Sequence, residues 1–261
     1  MPAPDLPPPI QHPTVPLALA AHLAPAQAEP ADLRGAVVVM VDTLRASSTI
    51  AAALHAGAEQ IVPALTVDEA LAAARGRTPR PVLGGERGGQ AIPGFDLGNS
   101  PRDYHQALVR GRSDIFTTTN GTAALLHASH AGAAEILVGS LVNLTALCDR
   151  VAREPRPVHI LCAATRDRVT LDDCLAAGAM IDRLTAAGRQ LTSGDGGDPA
   201  RLCLAAWHLA ESDVQTAMLA SRGGRNLASI GLTHDVIDCC AIDAHPVVPL
   251  FDPASGVIRA Y

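Results

Sequence analysis

The sequence predicts an α/β protein: a sheet covered by helices on both faces, built by a chain that alternates strand and helix. Three observations carry this. From residue 37 onward, short β-branched apolar runs alternate with Ala-rich stretches of helical character. Hydrophobic residues make up 48% and charged residues 18%, far from the composition of a disordered chain. The length, 261 residues, suits one large or two small domains with a sizeable core. Aromatics are only 2%, so Ala, Leu and Val must fill that core.

Residues 1–14 are rich in Pro with little to bury and read as a flexible or extended arm, drawn as a unit over 1–30. The apolar run at 17–28 imitates a secretory leader, but no basic residue precedes it before Arg34, so secretion is rejected. The first strand is 37–41, and the loop after it leads into an Ala-rich helix at 46–58. The alternation continues with strand 60–65 and helix 67–75, strand 81–84, helix 101–109, strand 114–118 and helix 122–131. Strand 135–139, helix 143–153, strand 158–162 and a longer helix at 171–187 follow. The Gly- and Asp-rich stretch 193–199 is a loop or hinge, after which 201–220 and 226–240 read as consecutive helices and 247–251 as a late strand. The first α/β lobe is drawn at 31–140 and the second at 141–261, with the late strand free to rejoin the first lobe.

All 20 basic residues are Arg, and no lysine occurs. That excludes a Walker A phosphate loop, a pyridoxal Schiff base and a lysine-assisted aspartyl phosphatase, each of which needs an ammonium group. A net charge of −6 with almost no aromatics to stack bases argues against a nucleic-acid partner. The six cysteines form no Cys-x-x-Cys and lie in apolar surroundings, which fits a reducing cytoplasm. No run of 18 apolar residues exists, so no membrane partner is expected.

In parallel α/β sheets ligands sit beyond the carboxyl ends of the strands, so the residues after each apolar run carry most weight. Four such loops are unusually polar. They hold Asp42 and Arg45; Glu86 and Arg87, leading to Asp96, Asn99 and Ser100; Thr118, Thr119, Asn120, Gly121 and Thr122; and Cys162 and Thr165, with Asp172 and Asp173 beyond. A Thr/Asn/Gly turn entering a helix offers hydroxyls and unpaired amides that cradle a phosphate or sulfonate. Arg forks supply the bidentate charge that lysine cannot. Carboxylates Asp42, Glu86, Asp96, Asp172 and Asp173 in one pocket would repel a phosphate unless a divalent cation lay between, and oxygen ligands suit Mg²⁺. Helix capping alone explains Asp42, Ser100 or Asp172 taken singly, and a turn explains 119–122, but four polar loops at one end of the strands exceed what folding needs.

Other motifs fare worse. Asp42 lacks the second Asp of an Asp-x-Asp phosphatase signature, because Leu44 stands there. Cys162 and Arg168 have the Cys-x5-Arg spacing of a cysteine phosphatase, but the loop lacks the usual Gly and Val169 follows the Arg. His127 and His130 are three apart on a helix with no third metal ligand nearby. Neither Gly-x-Ser-x-Gly nor Gly-x-Gly-x-x-Gly occurs.

The strings Val41-Asp42-Thr43-Leu44-Arg45-Ala46-Ser47-Ser48-Thr49, Gly85-Glu86-Arg87-Gly88-Gly89, Gly94-Phe95-Asp96-Leu97-Gly98-Asn99-Ser100-Pro101 and Thr117-Thr118-Thr119-Asn120-Gly121-Thr122 resemble the 2-phosphosulfolactate phosphatase family. Cys162-Ala163-Ala164-Thr165, Leu171-Asp172-Asp173, the stretch 221–227 and Asp235 continue the likeness, which spans 37–251. Ala164 departs from an expected Gly and Asp172 from an expected Glu. The resemblance implies a two-lobed, three-layer α/β fold with the site between the lobes. It also implies Mg²⁺-dependent hydrolysis of (2R)-2-phospho-3-sulfolactate to 3-sulfolactate and phosphate, a step toward coenzyme M.

On this reading the catalytic candidates are Asp42, Arg45 and Asp173, and the metal candidates are Asp42, Glu86, Asp96 and Asp172. Arg87, Asn99, Ser100, Thr118, Thr119, Asn120, Gly121, Thr122, Cys162 and Thr165 are the substrate-binding candidates. Water and Asp42 both stand as the attacking group. The expected partner is a small anionic phosphorylated substrate, and a homodimer is admitted. A phosphatase for another small phosphomonoester and a non-catalytic anion-binding protein are the competing functions.

Overall fold

Five consecutive apolar residues, Val37–Val41, are buried throughout, which only a strand covered on both faces allows. In the structure, a computed structural model describing residues 17–261, this strand lies inside an eleven-stranded sheet. The Pro-rich residues 1–16 of the arm lie outside the described residues.

In chain order the strands are β1 (Ala18–His22), β2 (Val37–Val41), β3 (Gln60–Pro63), β4 (Val82–Arg87), β5 (Gln90–Ala91), β6 (Ser113–Thr117), β7 (Glu135–Gly139), β8 (Val158–Cys162), β9 (Gln190–Leu191), β10 (Pro249–Asp252) and β11 (Val257–Ala260). They are ordered β5-β4-β6-β3-β11-β10-β7-β2-β8-β1-β9. Two parallel blocks result. One pairs β4, β6 and β3; the other pairs β7, β2, β8, β1 and β9. The C-terminal hairpin joins them, with β10 antiparallel to β7 and β11 antiparallel to β3.

The helices are α1 (Pro30–Leu33), α2 (Ala46–His55), α3 (Val67–Ala74), α4 (Gln106–Val109), α5 (Gly121–His130), α6 (Leu144–Ala152), α7 (Leu171–Ala186), α8 (Gly197–Ala210), α9 (Val214–Ala220), α10 (Arg222–Ser229) and α11 (Thr233–Cys239). Because strand side chains alternate, β2 feeds two cores. Val37, Val39 and Val41 pack with Leu147, Leu175, Ile181 and Trp207 from α6, α7 and α8. Val38 and Met40 pack with Ile50, Leu54 and Leu125 from α2 and α5. This gives the expected three layers. Small side chains replace the missing aromatics: a Cβ on Gly178 of α7 would lie 2.2 Å from the Cys203 carbonyl oxygen of α8, so the two helices touch backbone to backbone.

Several expectations need correction. Residues 18–22, assigned to the arm, form an inner strand between β8 and β9; its Ala-rich sequence carries no β-branched signal, and the parallel neighbours supply the ladder. The helix expected over 101–109 breaks into a 3-10 turn, Pro101–Asp103, and α4, because Tyr104 leaves the helix to bury its ring and donate to the Gly98 carbonyl at 3.0 Å. The helix expected over 201–220 starts earlier and divides at Glu211–Asp213, and 226–240 divides at Gly231, whose φ is +81°. Strands β5, β9 and β11 carry no strand signal in the sequence.

Asp114 on β6 is fully buried, and neither carboxyl oxygen has a partner among the described residues. Burial first, and then Asp96, push its carboxyl up to about 8. The native state therefore holds a proton that the unfolded chain has released, so stability is lost as pH rises from the ordinary carboxylate range through about 8. Asp114→Asn should stabilise the protein at pH 8.5 by about 1–3 kcal/mol and have little effect near pH 4, read from urea midpoints at both pH values.

Candidate active site

The polar loops that follow β2, β4, β6 and β8 converge with α10 on one cavity of about 300 Å³. Its lining includes Asp42, Arg45, Glu86, Asn99, Thr119, Asn120, Thr165, Arg166, Arg222 and Asn226.

Asp42 begins this arrangement. The turn into α2 is closed by its own atoms: the Asp42 amide donates to Ser47 Oγ at 2.9 Å, and the Ser47 amide to the Asp42 carbonyl at 2.8 Å. The carboxylate is thereby held at the cavity floor, and Gly121 comes so close that a Cβ there would sit 2.8 Å from Asp42 Oδ2. Burial, then the negative charges of Glu86 and Asp172, push the Asp42 carboxyl up to about 7, against the amides of Ala46 and Gly121.

Three other carboxylates tie the loops together. Glu86 accepts the amides of Gly89 and Thr119, both at 2.7 Å, which ties the β4–β5 turn to the β6 loop. Asp173 accepts the amide of Thr43 at 2.9 Å and that of Ala164 at 3.0 Å, which ties the β2 loop to the β8 loop. Burial, Asp172 and Asp42 raise Asp173 well above the usual carboxylate range. Asp235 of α11, with no exposed surface, pairs with Arg45 and accepts from Ser100 Oγ at 2.7 Å. The other Arg45 arm donates to the Gly89 carbonyl at 2.6 Å.

Asp172 lies beside this group, 4% exposed, and its Oδ1 has no partner among the described residues. A Cβ on Gly223 of α10 would stand 2.5 Å from Asp172 Oδ2, so the glycine is what lets α10 close over the carboxylate. Burial raises the Asp172 carboxyl, against hydrogen bonds from its own amide, Ser221 and Gly223 and the charge of Arg222.

Of the residues expected at the site, Asp42, Arg45, Glu86, Asn99, Thr119, Asn120 and Thr165 line the cavity. Asp172 lies directly beneath the lining residue Gly223, and Ser100, Gly121 and Asp173 support the cavity from behind, as do Thr118 and Thr122, where the Thr122 amide donates to Thr118 Oγ1 at 3.3 Å. Three residues are elsewhere. Arg87 donates to the carbonyls of Glu86 and Leu65 and to Thr117 Oγ1 and does not line the cavity. Asp96 is taken by Arg80 and the Leu83 amide, both at 2.9 Å, and staples its own loop. Cys162 is 1% exposed and, although contact with Cys203 lowers it, burial and Asp173 push its thiol up, which is the opposite of a reactive thiolate. The turn at 119–122 also differs from a free anion cradle, because the Thr119 amide is given to Glu86.

Arg166, Arg222, Asn226 and Asp235 had no role assigned from the sequence. The signal lay in the strings: 221–227 and Asp235 matched the family pattern but sit far along the chain from the strand ends. Ala164, where Gly was expected, has φ +58°, a left-handed position that explains the expectation.

A family profile described as 2-phosphosulpholactate phosphatase matches residues 22–253. Relatives named probable 2-phosphosulfolactate phosphatase include a Symbiobacterium thermophilum protein, 37% identical over 87% of this chain and 96% of its own length. One from Caldanaerobacter subterraneus subsp. tengcongensis is 34% identical over 87% of this chain and 92% of its own. One from Deinococcus radiodurans is 36% identical over 85% and 90% respectively.

Two substitutions test the local energetics. Asp235→Ala leaves the Arg45 guanidinium buried without its partner and should cost about 3–5 kcal/mol in chemical denaturation. Ala164→Gly should instead stabilise the chain by up to about 1 kcal/mol, since glycine takes the left-handed conformation without a Cβ penalty.

Proposed function

The chain belongs to the 2-phosphosulpholactate phosphatase family, and on that premise we propose that it is a phosphoric monoester hydrolase that releases phosphate from (2R)-2-phospho-3-sulfolactate with the help of Mg²⁺. The observation that carries this reading is the cavity itself, where Asp42 and Glu86 line the floor and arginines line the mouth.

The donor set fits a hard divalent cation. Asp42 and Asp172 are buried carboxylates, the charge of Asp172 helps to raise Asp42, Asp172 Oδ1 lacks a partner among the described residues, and the nearest buried guanidinium, Arg45, is already paired with Asp235. Among the described residues no three His, Cys, Asp or Glu side chains form a ready-made cage. That suits Mg²⁺, which is usually held by one or two carboxylates and completes its octahedron with waters and substrate phosphate oxygens. Asp42 and Asp172 are the residues that would hold it. Glu86, whose two oxygens already accept amides, positions the Thr119 loop, and Asp173 positions the β2 and β8 loops. When bound, the ion supplies charge neutralisation between these carboxylates and a phosphoryl group.

The chain's own residues do the rest. Thr119 and Asn120 border the phosphoryl position, and the Asn120 Oδ1 accepts the Arg166 amide at 3.3 Å, which fixes its side chain. Arg45 acts through position, because its pairing with Asp235 and Gly89 holds the start of α2 and therefore Asp42.

Phosphate release from racemic 2-phosphosulfolactate, measured with Mg²⁺ and with chelator, should proceed only with the metal. Asp42→Asn should lower it at least about 100-fold while the far-ultraviolet spectrum is kept; retained activity would sink the assignment. A readout independent of turnover is thermal: Mg²⁺ at millimolar concentration should raise the melting temperature of the natural chain and leave Asp42→Asn and Asp172→Asn unmoved, since an ion bound only by the native state stabilises it.

A further inference from the structure

Three arginines line the cavity, and they are not equivalent. Arg45 is 4% exposed, with one Nη bonded to Asp235 and the other to the Gly89 carbonyl. Arg166 and Arg222 are exposed at the mouth. Among the described residues Arg222 makes one hydrogen bond, to the Thr165 carbonyl at 3.5 Å, with its charge felt by Asp172, and no partner holds the Arg166 guanidinium. We propose that Arg222 and Arg166 form the subsite for the substrate's second strong acid, the sulfonate, and so decide which phosphomonoester is accepted. The inference rests on the phosphatase reading.

Two further observations support it. The floor is acidic, with Asp42 and Glu86, so a sulfonate is repelled from it and drawn to the mouth, whereas the phosphoryl group is the part that a cation at the floor would accept. A sulfonate presents equivalent anionic oxygens, which a guanidinium fork meets two at a time. The backbone at Arg166 points the same way. Residues 165–168 form a tight turn closed by the Thr165 and Arg168 amides and carbonyls at 3.0 and 3.1 Å, with φ +52° at Arg166 and +58° at Asp167. Gly, Asn and Asp favour such positions and Arg does not; left-handed residues of this kind cluster at ligand sites.

The test compares racemic 2-phosphosulfolactate with 2-phospholactate, which keeps the phosphate and the carboxylate and lacks the sulfonate. Arg222→Gln and Arg166→Gln should each lower kcat/KM for the sulfonated ester by about tenfold or more, mainly through KM, and leave 2-phospholactate within about threefold. Arg225→Gln on the same helix, whose guanidinium bonds the Ala220 carbonyl, should change neither. Arg166→Gly relieves the left-handed backbone, so it should hold or raise the melting temperature and still lose discrimination, which a structural role does not predict. An equal loss on both esters, or no loss on the sulfonated one, overturns the subsite. If the natural chain hydrolyses no ester, the phosphatase reading fails instead. Calorimetric titration with 3-sulfolactate then decides the subsite: affinity lowered about tenfold in Arg222→Gln sustains it, and equal or absent binding overturns it.

Discussion

Asp173 accepts the amides of Thr43 and Ala164, Glu86 those of Gly89 and Thr119, and Asp235 joins Arg45 to Ser100. Each is a buried carboxylate spanning segments distant in sequence, and without them four loops at the ends of separate strands would have no common geometry. Amide donors compensate part of the cost of burying such charge, and a guanidinium compensates Asp235. Asp42 and Asp172 are left over: burial raises both carboxyls, and the charges of Glu86 and Asp172 add to the rise at Asp42. The same deficit that makes the loops costly to assemble makes the floor attractive to a cation.

The sheet delivers those loops in two sets. Within each block parallel strands present their carboxyl ends together, β4 and β6 in one and β2 and β8 in the other. The three antiparallel pairings β3–β11, β11–β10 and β10–β7 set the two blocks in opposite directions, so their loops meet at the cavity through the way the blocks fold together and not at a shared strand edge. What closes the gap between the blocks is the late hairpin, in which Phe251 and Ile258 enter the same core as Ile50 and Leu125. The helices before it contribute as well, α10 with Arg222 and Asn226 in the lining and α11 with Asp235 from behind.

Much of this is legible in the sequence. The strands with β-branched runs, such as 37–41 and 135–139, and the three-layer α/β class follow from local pattern, because burial on both faces leaves a continuous apolar signature. Strand β1 was not legible, since Ala18, Ala20 and Ala21 acquire strand geometry from their neighbours and not from propensity. At the site, residue type and strand-end position found Asp42, Glu86 and the Thr119 loop. They could not separate Arg87 from Arg222: both are arginines beside glycines, and only the fold turns one toward Leu65 and the other into the cavity. Asp96 misled for a similar reason, because a carboxylate that staples its own loop to Arg80 reads in sequence like one that faces a ligand.

The β8 loop shows how the chain balances stability against placement. Ala164, Arg166 and Asp167 all have positive φ, and each would be easier to fold as glycine. Asp173 and Asn120 hold the loop there by accepting the Ala164 and Arg166 amides, so the strain is distributed over the same carboxylate and turn that build the floor and wall. Glycine at 164 would remove only a methyl group, and the position has a purely backbone reason to prefer it. Glycine at 166 would remove a guanidinium from the cavity mouth. In a chain without lysine, where every fixed positive charge of a side chain is an arginine and Arg45 is already buried against Asp235, that cation has no ready substitute on the β2 or β4 loops. The loop is therefore best understood as strained for what its side chain offers and held in place by hydrogen bonds that the rest of the site already requires.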